Sequence, residues 1–342
     1  MALAVIGSAA AQSGDAWLPL GDGRISTSPQ RGNVFVCQTR FEGGGAHREG
    51  TWIRGDRWNP DLKPTVDGRV TWPNARLAIT VEGSERVVRA NNLPSHPTGR
   101  YPVSSSDDAY QYDRNPNRIR ERDVLLRLPA DPAPARTASC VPMSMIGFAL
   151  TGAAIFNALD GLGRDAAAHE ILDGCAGHPE RQGRYHYHGP SPCTADDDEP
   201  VGYALDGFGI FGVHGEDGRE LSNADLDACH GHVGVVRWNG DRRAIYHYHL
   251  TREYPYSLGC FTGTPVSVGG GDRQPGGGSR PPAGAGRGGD DPLAGAAAEL
   301  GVDVDTLRRA VGPPPPDIDR AARILGIDRN RLRDVMQRHR PR

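Results

Sequence analysis

The chain has 342 residues, a length that accommodates one large or two modest domains with additional segments. Its net charge of −3 gives no electrostatic reason to expect a nucleic acid or an anionic membrane as a partner, and neither is predicted. The 46 glycines and 28 prolines, beside only 6% aromatic residues, favour many turns and short strands.

Residues 1–11 are apolar and end in Ser-Ala-Ala-Ala, which is typical of a secretory signal peptide with a small-residue cleavage site. The segment lacks a basic opening region, so a start further upstream and a frayed N-terminus are both alternatives. Residues 12–30 are polar and glycine-rich, and we predict a disordered lead-in there. No later stretch is long and apolar enough to predict a membrane span.

From residue 34 to about residue 128, short apolar stretches alternate with Gly, Pro, Asn and Asp. This pattern is typical of short strands joined by turns. His96 lies in a loop of this region and is a further candidate ligand, although a single loop histidine is more often simply solvated. The predicted strands are residues 34–36, 51–53, 70–72, 77–81 and 124–126.

The most informative feature is the word Tyr-His-Tyr-His, which occupies residues 185–188 and again residues 246–249. Leu-Asp-x-Cys-x-Gly-His precedes each copy, at residues 172–178 and 226–232, and one further cysteine follows each copy. A four-residue word of two rarer amino acids does not recur through drift in composition. The chain therefore contains a duplicated unit, for which we expect two similar halves about a pseudo-two-fold axis with their histidine faces turned inward.

Side chains on a β-strand alternate between its two faces, so the two histidines of each word point one way and the two tyrosines the other. Two imidazoles on one face can hold a metal ion, and the histidine after each Gly is expected to turn a third imidazole inward. Imidazole suits zinc, copper, iron and nickel, and we predict copper or zinc. The predicted metal ligands, in one shared site or two equivalent ones, are His178, His186, His188, His232, His247 and His249.

These histidines have a second interpretation. Tyrosine and histidine both have apolar bodies and polar tips, so paired strands can use them for packing and hydrogen bonds alone. A single His-x-His favours that interpretation, whereas two copies, each with an additional Gly-His, shift the balance toward metal. The tyrosines are expected to pack in the core with their hydroxyls hydrogen-bonded. Ligand histidines must be neutral, so metal binding should fail below about pH 6.

The six cysteines are an even number in a chain with an export-like start, which favours disulfides formed in an oxidising compartment. The repeat predicts one disulfide around each histidine word and leaves a third pair. Thiolate metal ligands are the alternative, although Cys-x-x-Cys spacing is absent. The predicted pairs are Cys175–Cys193, Cys229–Cys260 and Cys37–Cys140.

Three segments flank or separate the two words. Residues 146–153 are apolar with two glycines and predict a buried strand that enters a tight turn. Residues 165–172 predict a short helix. Residues 202–212 predict strands around an Asp-Gly turn, in which Asp206 is either a turn residue or an acceptor that orients a histidine.

Residues 267–291 are dominated by Gly, Pro, Arg and Asp, so we predict a disordered linker. Residues 292–342 contain a second, weaker repeat of helix, Gly turn, Asp N-cap and helix. Such pairs are superficially similar to helix-turn-helix DNA readers. In an exported chain, a small helical module that acts as a spacer or binds a protein partner is the better interpretation.

Together these motifs resemble the YHYH-domain family over residues 90–263. The resemblance implies a secreted, cysteine-stabilised, β-rich domain that is often joined to other modules, and it implies no defined activity. The chain departs from the family pattern at Thr151, where asparagine is typical. The stretches that carry the resemblance end at His96 or span residues 146–152, 183–188, 202–212 and 246–259.

The predicted fold class is mainly β with short helices. A disulfide-stabilised duplicated β-rich domain over residues 31–266 is followed by a small all-α C-terminal module. The first functional hypothesis is a secreted or periplasmic metal-binding protein. The second is a metal-dependent hydrolase or copper oxidoreductase, and the third is a ligand-binding module with structural histidines. Candidate bases for the second are Asp173, Asp206, Asp227 and Glu253.

Overall fold

The computed structural model describes residues 17–41, 43–194, 199–268, 293–300, 302, 307, 311, 318–325 and 327–339. The chain divides into two compact units, residues 1–277 and 278–342. The signal-like segment 1–11 and most of the predicted linker 267–291 lie outside the described residues and stay predictions. Among the described helices, none combines the length and apolar character needed to cross a membrane.

The first unit is β-rich with few helices, as predicted. It contains three small sheets and one larger sheet. The first contains β1 (Leu18–Pro19), β4 (Ile53–Arg54) and β5 (Arg57–Trp58), and the second pairs β2 (Ile25–Ser26) with β3 (Val34–Phe35). The third contains β6 (Leu77–Glu82), β7 (Glu85–Ala90) and β8 (Val124–Pro129) in that order.

Part of the predicted lead-in is ordered. In place of disorder, residues 17–30 contribute β1, which pairs with β5, and β2, which pairs with β3. Asp22 in the turn between them accepts hydrogen bonds from the backbone of Asp165 and from the His169 ring. These contacts link positions more than 140 residues apart, so local composition could not reveal them.

Strand β7 was not predicted, because three of its six residues (Glu85, Arg86 and Arg89) are charged and do not alternate regularly with apolar ones. Its Arg86 is fully buried, with the guanidinium 4.1 Å from the ring centre of Tyr203 and 4.5 Å from that of Trp238. Tertiary stacking therefore allows a charged side chain inside. The predicted strand at residues 70–72 forms only an isolated bridge between Val70 and Thr98.

The central sheet has eight strands in the order β11-β12-β10-β9-β13-β14-β16-β15. Its first four strands lie within residues 145–187 and its last four within residues 202–249. The strands are β9 (Met145–Ala149), β10 (Ala154–Phe156), β11 (Gly177–Pro179), β12 (Tyr185–Tyr187), β13 (Gly202–Ala204), β14 (Gly209–Phe211), β15 (Gly231–Trp238) and β16 (Asp241–His249).

The strand order has internal two-fold symmetry about the junction of β9 and β13. Each half contains an antiparallel pair, a parallel pair and another antiparallel pair in corresponding places. The junction itself is antiparallel, and neighbouring antiparallel strands are related by an axis perpendicular to the sheet. The two halves therefore lie side by side in one sheet, and their histidine faces do not turn toward each other as predicted.

The symmetry exposes a longer repeat than the histidine words. Residues 148–157 (FALTGAAIFN) correspond to residues 203–212 (YALDGFGIFG), with Ala-Leu, Gly and Ile-Phe identical. Both segments form a strand, a turn at a glycine with positive φ, and a second strand. The duplicated unit thus extends from β9 to the cysteine after each histidine word.

The three disulfides join Cys37 to Cys140, Cys175 to Cys193 and Cys229 to Cys260. This is the pairing that the repeat predicts. One disulfide connects the turn before each histidine word to the segment that follows the word. All six cysteines are in these bonds.

The helical elements of the first unit are short. Helix α1 (Ala166–His169) begins at the Asp165 N-cap, whose side chain accepts the Ala168 amide. Single 3-10 turns occupy Pro60–Leu62, Asp108–Gln111 and Asn223–Asp225.

The second unit contains α2 (Ala294–Leu300), α3 (Ile318–Leu325) and α4 (Arg329–Arg338). Asp328 caps α4 by accepting the amides of Asn330 and Arg331, as the repeat predicted, whereas the corresponding Asp303 lies outside the described residues. The apolar core of this unit includes Ala297, Leu300, Leu307, Ala321, Leu332 and Val335.

Gly207→Ala should lower the free energy of unfolding by about 2–4 kcal/mol. Gly207 has φ +91°, and an added Cβ would lie 2.6 Å from the Pro129 carbonyl oxygen, so left-handed strain and overpacking both act. Gly240→Ala is the matched control, because φ is +93° and no atom lies within 4 Å of the added Cβ. Urea denaturation should show a loss of only about 1–2 kcal/mol for the control, and equal losses would contradict the assigned contact.

Candidate metal centres

The six predicted histidines form two separate clusters, each with one glutamate. The buried centre contains His178, His186, His188 and Glu170. The open centre contains His232, His247, His249 and Glu216. Each cluster uses one histidine from the Gly-His word and two from the Tyr-His-Tyr-His word.

The buried centre brings three imidazoles together through strand pairing. His178 on β11 is the direct cross-strand partner of His186 on β12, and His188 follows at the end of that strand. Their Nε2 atoms are 3.1 Å apart for His178–His186 and His186–His188, and 3.3 Å apart for His178–His188. All three side chains are at least 95% buried.

The hydrogen bonds of the outer ring nitrogens fix where the ring protons lie. His186 Nδ1 donates to the Arg184 carbonyl oxygen at 3.2 Å, and His188 Nδ1 donates to the Asn157 carbonyl oxygen at 2.6 Å. A carbonyl oxygen can only accept, so each Nδ1 carries the proton and each Nε2 of a neutral ring bears a lone pair. Two buried lone pairs therefore face each other with no hydrogen between them.

The geometry of this triangle matches metal coordination. With a zinc–nitrogen bond of about 2.0–2.1 Å, two nitrogens of a tetrahedral site lie about 3.3 Å apart. The observed edges of 3.1–3.3 Å agree with that value. The stacked Phe156 ring, with its centre 3.9 Å from that of His186, closes one side.

Glu170 completes the buried centre. Its Oε2 atom lies 3.3 Å from Nε2 of both His178 and His188. This oxygen is buried and has no hydrogen-bond partner among the described residues. Burial favours the neutral acid, whereas positive charge on His178, His188 or Lys63 lowers the pKa of Glu170. A carboxylate oxygen that lies 3.3 Å from two of the three imidazole nitrogens is a further metal-ligating group.

The open centre repeats the imidazole arrangement. His232 on β15 pairs directly with His247 on β16. His247 Nδ1 donates to the Ile245 carbonyl oxygen and His249 Nδ1 to the Gly212 carbonyl oxygen, the repeat equivalents of Arg184 and Asn157. Their Nε2 atoms are 3.0 Å apart, so the same facing lone pairs recur.

Glu216 supplies the carboxylate of the open centre. Its Oε1 atom is 3.3 Å from His232 Nε2 and 3.4 Å from His247 Nε2. Glu216 lies five residues after β14, whereas Glu170 lies fourteen residues after β10, so the two acids occupy different positions in corresponding connections. Two different chain positions therefore deliver a carboxylate to equivalent histidine clusters.

The two centres lie on the same face of the sheet but far apart. Strands β12 and β16 are five strand positions apart, which at 4.8 Å per strand is roughly 24 Å, so the predicted single shared site is excluded. Directly paired residues on neighbouring strands, and residues two apart on one strand, lie on the same face of a sheet. A continuous series of such residues links the two centres: His186, Ala154, Phe148, Tyr203, Gly209, Phe211 and His249.

The tyrosines of both words pack on the opposite face and are hydrogen-bonded, as predicted. Tyr185 donates to Asp173 and Tyr246 donates to Asp227. Asp173 also accepts the amides of Cys175 and Gly177, and Asp227 accepts those of Cys229 and Gly231. Each aspartate thus fixes the turn that starts the Gly-His strand.

The glycine before each third histidine serves close packing rather than a turn. A Cβ at Gly177 would lie 2.4 Å from the Tyr185 ring, and a Cβ at Gly231 would lie 2.5 Å from the Tyr246 hydroxyl. The turn itself uses positive φ at the preceding residues, Ala176 and His230.

None of the four candidate bases lies at a centre. Asp173 and Asp227 hold the turns, and Glu253 accepts the Asn223 amide. Asp206 accepts the Tyr248 hydroxyl and so orients a tyrosine and not a histidine. Its repeat equivalent Thr151 contacts Tyr187 at 2.9 Å, which gives the departure from the family pattern a packing role.

Glu170 and Glu216 could not be predicted as members of the centres from the sequence. Glu170 lies eight residues before His178, and Glu216 lies sixteen residues before His232. Neither belongs to a repeated word, and only the fold brings them to the histidines.

His96 is not part of either centre. It lies near Cys175 and Cys193, but those sulfurs form a disulfide and offer no thiolate. Its Nε2 instead hydrogen-bonds the Tyr187 hydroxyl, and its Nδ1 donates to the Pro97 carbonyl oxygen at 2.9 Å.

Burial favours the neutral form of three of the cluster histidines, which are His178, His186 and His247. It lowers the pKa of His186 well below its usual value, and lowers that of His247 to about 4. The pKa of His178 is also lowered, by burial and by the neighbouring His188, although Glu170 acts in the opposite direction. Neutral imidazole is the form that binds metal.

Comparison with known proteins adds one finding. Residues 125–220 match the family model described as YHYH protein. This range contains the first histidine word and ends before the second. No curated protein and no solved structure matches the chain significantly.

The metal-free protein should lose stability as the pH falls from about 6.5 toward 4. Unfolded histidine binds a proton near pH 6.5, whereas folded His247 does so near 4. The unfolded state therefore takes up the proton first, at a cost of up to about 3 kcal/mol for this group. Urea denaturation of the chelator-treated protein at a series of pH values measures this.

His247→Gln provides the comparison for that measurement. Burial raises the pKa of Asp165 to about 6, so protonation of Asp165 stabilises the folded state as the pH falls. This contribution is the same in both proteins and cancels when their stabilities are compared. The variant should show a shallower loss of stability below pH 6.5 than the parent. Parallel curves for the two proteins would refute the assignment of His247 as buried and neutral.

Proposed function

Because this chain contains a YHYH-family domain with two clusters of facing imidazoles, we propose that it is an exported protein that binds two zinc or copper ions. Each ion takes three histidine nitrogens and one glutamate oxygen. The observation that carries the proposal is the pair of facing, unprotonated Nε2 atoms in each cluster. Buried acceptors in contact with each other repel, and a bound cation removes that repulsion.

The competing interpretation, structural histidines in a ligand-binding module, requires hydrogen bonds among the rings. A hydrogen bond between His186 and His188 needs a proton on one Nε2, yet both Nδ1 atoms already donate to carbonyl oxygens. The ring would then be a cation, and burial lowers the pKa of His186 well below its usual value. The geometry therefore favours metal over packing alone.

Zinc is the better match of the two ions. Three neutral imidazoles and a carboxylate form a ligand set that zinc accepts in tetrahedral geometry. The edges of 3.1–3.3 Å in the buried centre are shorter than the value of about 3.5 Å that a planar three-nitrogen site would need with the same bond length. Affinity for copper is generally higher at such sites, so the supply of metal decides which ion is loaded.

Export is supported by the disulfides. The three disulfides of the first unit are typical of proteins that fold in an oxidising compartment. Two of them clamp the histidine words, so the metal centres form together with the oxidised fold. Secretion or periplasmic residence, with a signal peptide at residues 1–11, follows from this proposal.

Protein purified without a histidine tag should contain close to two equivalents of zinc or copper per chain by elemental analysis. The double variant His186→Gln and His188→Gln should keep one equivalent, and so should His247→Gln with His249→Gln. The quadruple variant should contain none. Glutamine retains side-chain size and polarity, which limits the damage to packing.

His47→Ala is the control for that series, because His47 is exposed and outside both centres. It should retain both equivalents. The disulfide content and the far-ultraviolet circular dichroism of every variant report whether the fold is intact. A folded parent that takes up no transition metal after reconstitution would contradict the proposal and favour the ligand-binding module.

A further inference from the structure

The two centres differ in their access to solvent. In the buried centre, the side chains of His178, His188 and Glu170 are 5%, 4% and 9% exposed. In the open centre, the side chains of His232 and Glu216 are 26% and 28% exposed, while His247 is fully buried. The open centre is therefore buried on the side of His247 and exposed to water on the side of His232 and Glu216.

The two glutamates are also held differently. Glu170 follows α1 directly, with its amide bonded to the Ala166 carbonyl oxygen, and the next residue, Ile171, is fully buried. Glu216 lies in an exposed turn, in which Gly215 donates to Arg219 and Gly218 donates to Gly215. A short surface turn can move its carboxylate at little energetic cost.

Gly234 on β15 provides the space for the Glu216 carboxylate. A Cβ at this position would lie 1.5 Å from Glu216 Oε1 and 3.1 Å from His247 Cε1. The residue at the equivalent position of the first half is Glu180, so this gap is specific to the open centre. Among the described residues, only the Glu216 carboxylate would have to move far to make room for a methyl group at this position. It is the end of an exposed side chain, so it can move.

We propose that the open centre exchanges its Glu216 carboxylate for a small monodentate anion, whereas the buried centre keeps all four protein ligands. This inference rests on the proposed metal binding and adds the class of ligand. Three neutral imidazoles leave a divalent ion with its positive charge, so an anion replaces the carboxylate with no change in net charge. A three-histidine site with an exchangeable fourth position is the arrangement of reactive zinc centres.

The size of the anion is limited by the walls of the centre. His247 and His249 are at most 2% exposed, and the Phe211 ring centre lies 4.7 Å from that of His247. Among the described residues, the exposed side of the centre is the one formed by His232 and Glu216, and access is along that side. Azide is a suitable probe because it is small, monodentate and singly charged.

The experiment uses the full-length protein loaded with Co²⁺, whose visible absorption reports its ligands. The variant His186→Gln with His188→Gln retains the open centre, and His247→Gln with His249→Gln retains the buried centre. Azide should change the spectrum of the first and leave that of the second unchanged. In the parent with two ions, about half of the cobalt absorption should respond.

Two further variants test the role of Glu216. Glu216→Gln replaces the carboxylate with a poorer ligand, and Gly234→Ala displaces the carboxylate without removing its charge. Both should tighten azide binding by about tenfold, which corresponds to about 1.4 kcal/mol. Glu220→Gln is the matched control, since Glu220 lies in the same segment and pairs with Arg252, and it should leave azide binding unchanged.

The outcomes separate this inference from the proposed function. Failure of the parent to bind Co²⁺ would overturn metal binding itself. Two bound ions without an azide response, or with equal responses from both centres, would overturn the exchange proposal alone. Unchanged azide affinity in both Glu216→Gln and Gly234→Ala would show that the carboxylate does not occupy the exchanged position.

Discussion

In each Tyr-His-Tyr-His word, both histidines donate a hydrogen bond from Nδ1 to a main-chain carbonyl oxygen. These bonds determine which ring nitrogen is free to bind a metal ion in both centres. Four such bonds, at His186, His188, His247 and His249, place the Nε2 lone pairs of these four rings toward the centres of their clusters. The carbonyls belong to the sheet and to the loops that leave it, so backbone geometry and ring orientation are fixed together. An outer hydrogen bond that selects the tautomer is the usual support of a metal-binding imidazole.

The tyrosine face supplies the rigidity behind this arrangement. Because a strand alternates its side chains, each Tyr-His-Tyr-His word anchors its tyrosines in the core while it presents its histidines on the other side. Asp173 and Asp227 connect the two functions, since each accepts a tyrosine hydroxyl and the amides of the turn that leads to the third histidine. Core packing and ligand placement are thus properties of one repeated motif.

Much of the fold and three of the four proposed ligands of each site could be predicted from the sequence, because the motifs that indicate them are local. The alternation of the words predicted the split between tyrosines and histidines, and their repetition predicted the disulfide pairs. Glu170 and Glu216 could not be predicted, because only long-range folding brings them to the histidines. The 148–157 and 203–212 repeat is visible in the sequence, but substitutions at the intervening positions obscured it. The order of residues 17–30 rests in part on Asp22, whose partners Asp165 and His169 lie more than a hundred positions away.

The antiparallel pairing of β9 with β13 joins the two halves of the central sheet edge to edge. Each half ends at this junction in a strand that has one edge paired within its own half and the other edge paired by the other half. A chain that carried one histidine unit would leave that strand edge open and ready to pair with a second copy. The two-fold relation within this chain is the one that such a homodimer would have, so the present protein is equivalent to a dimer with its subunits joined covalently. Joining the subunits frees the two copies to differ, which a symmetric dimer of identical chains cannot do.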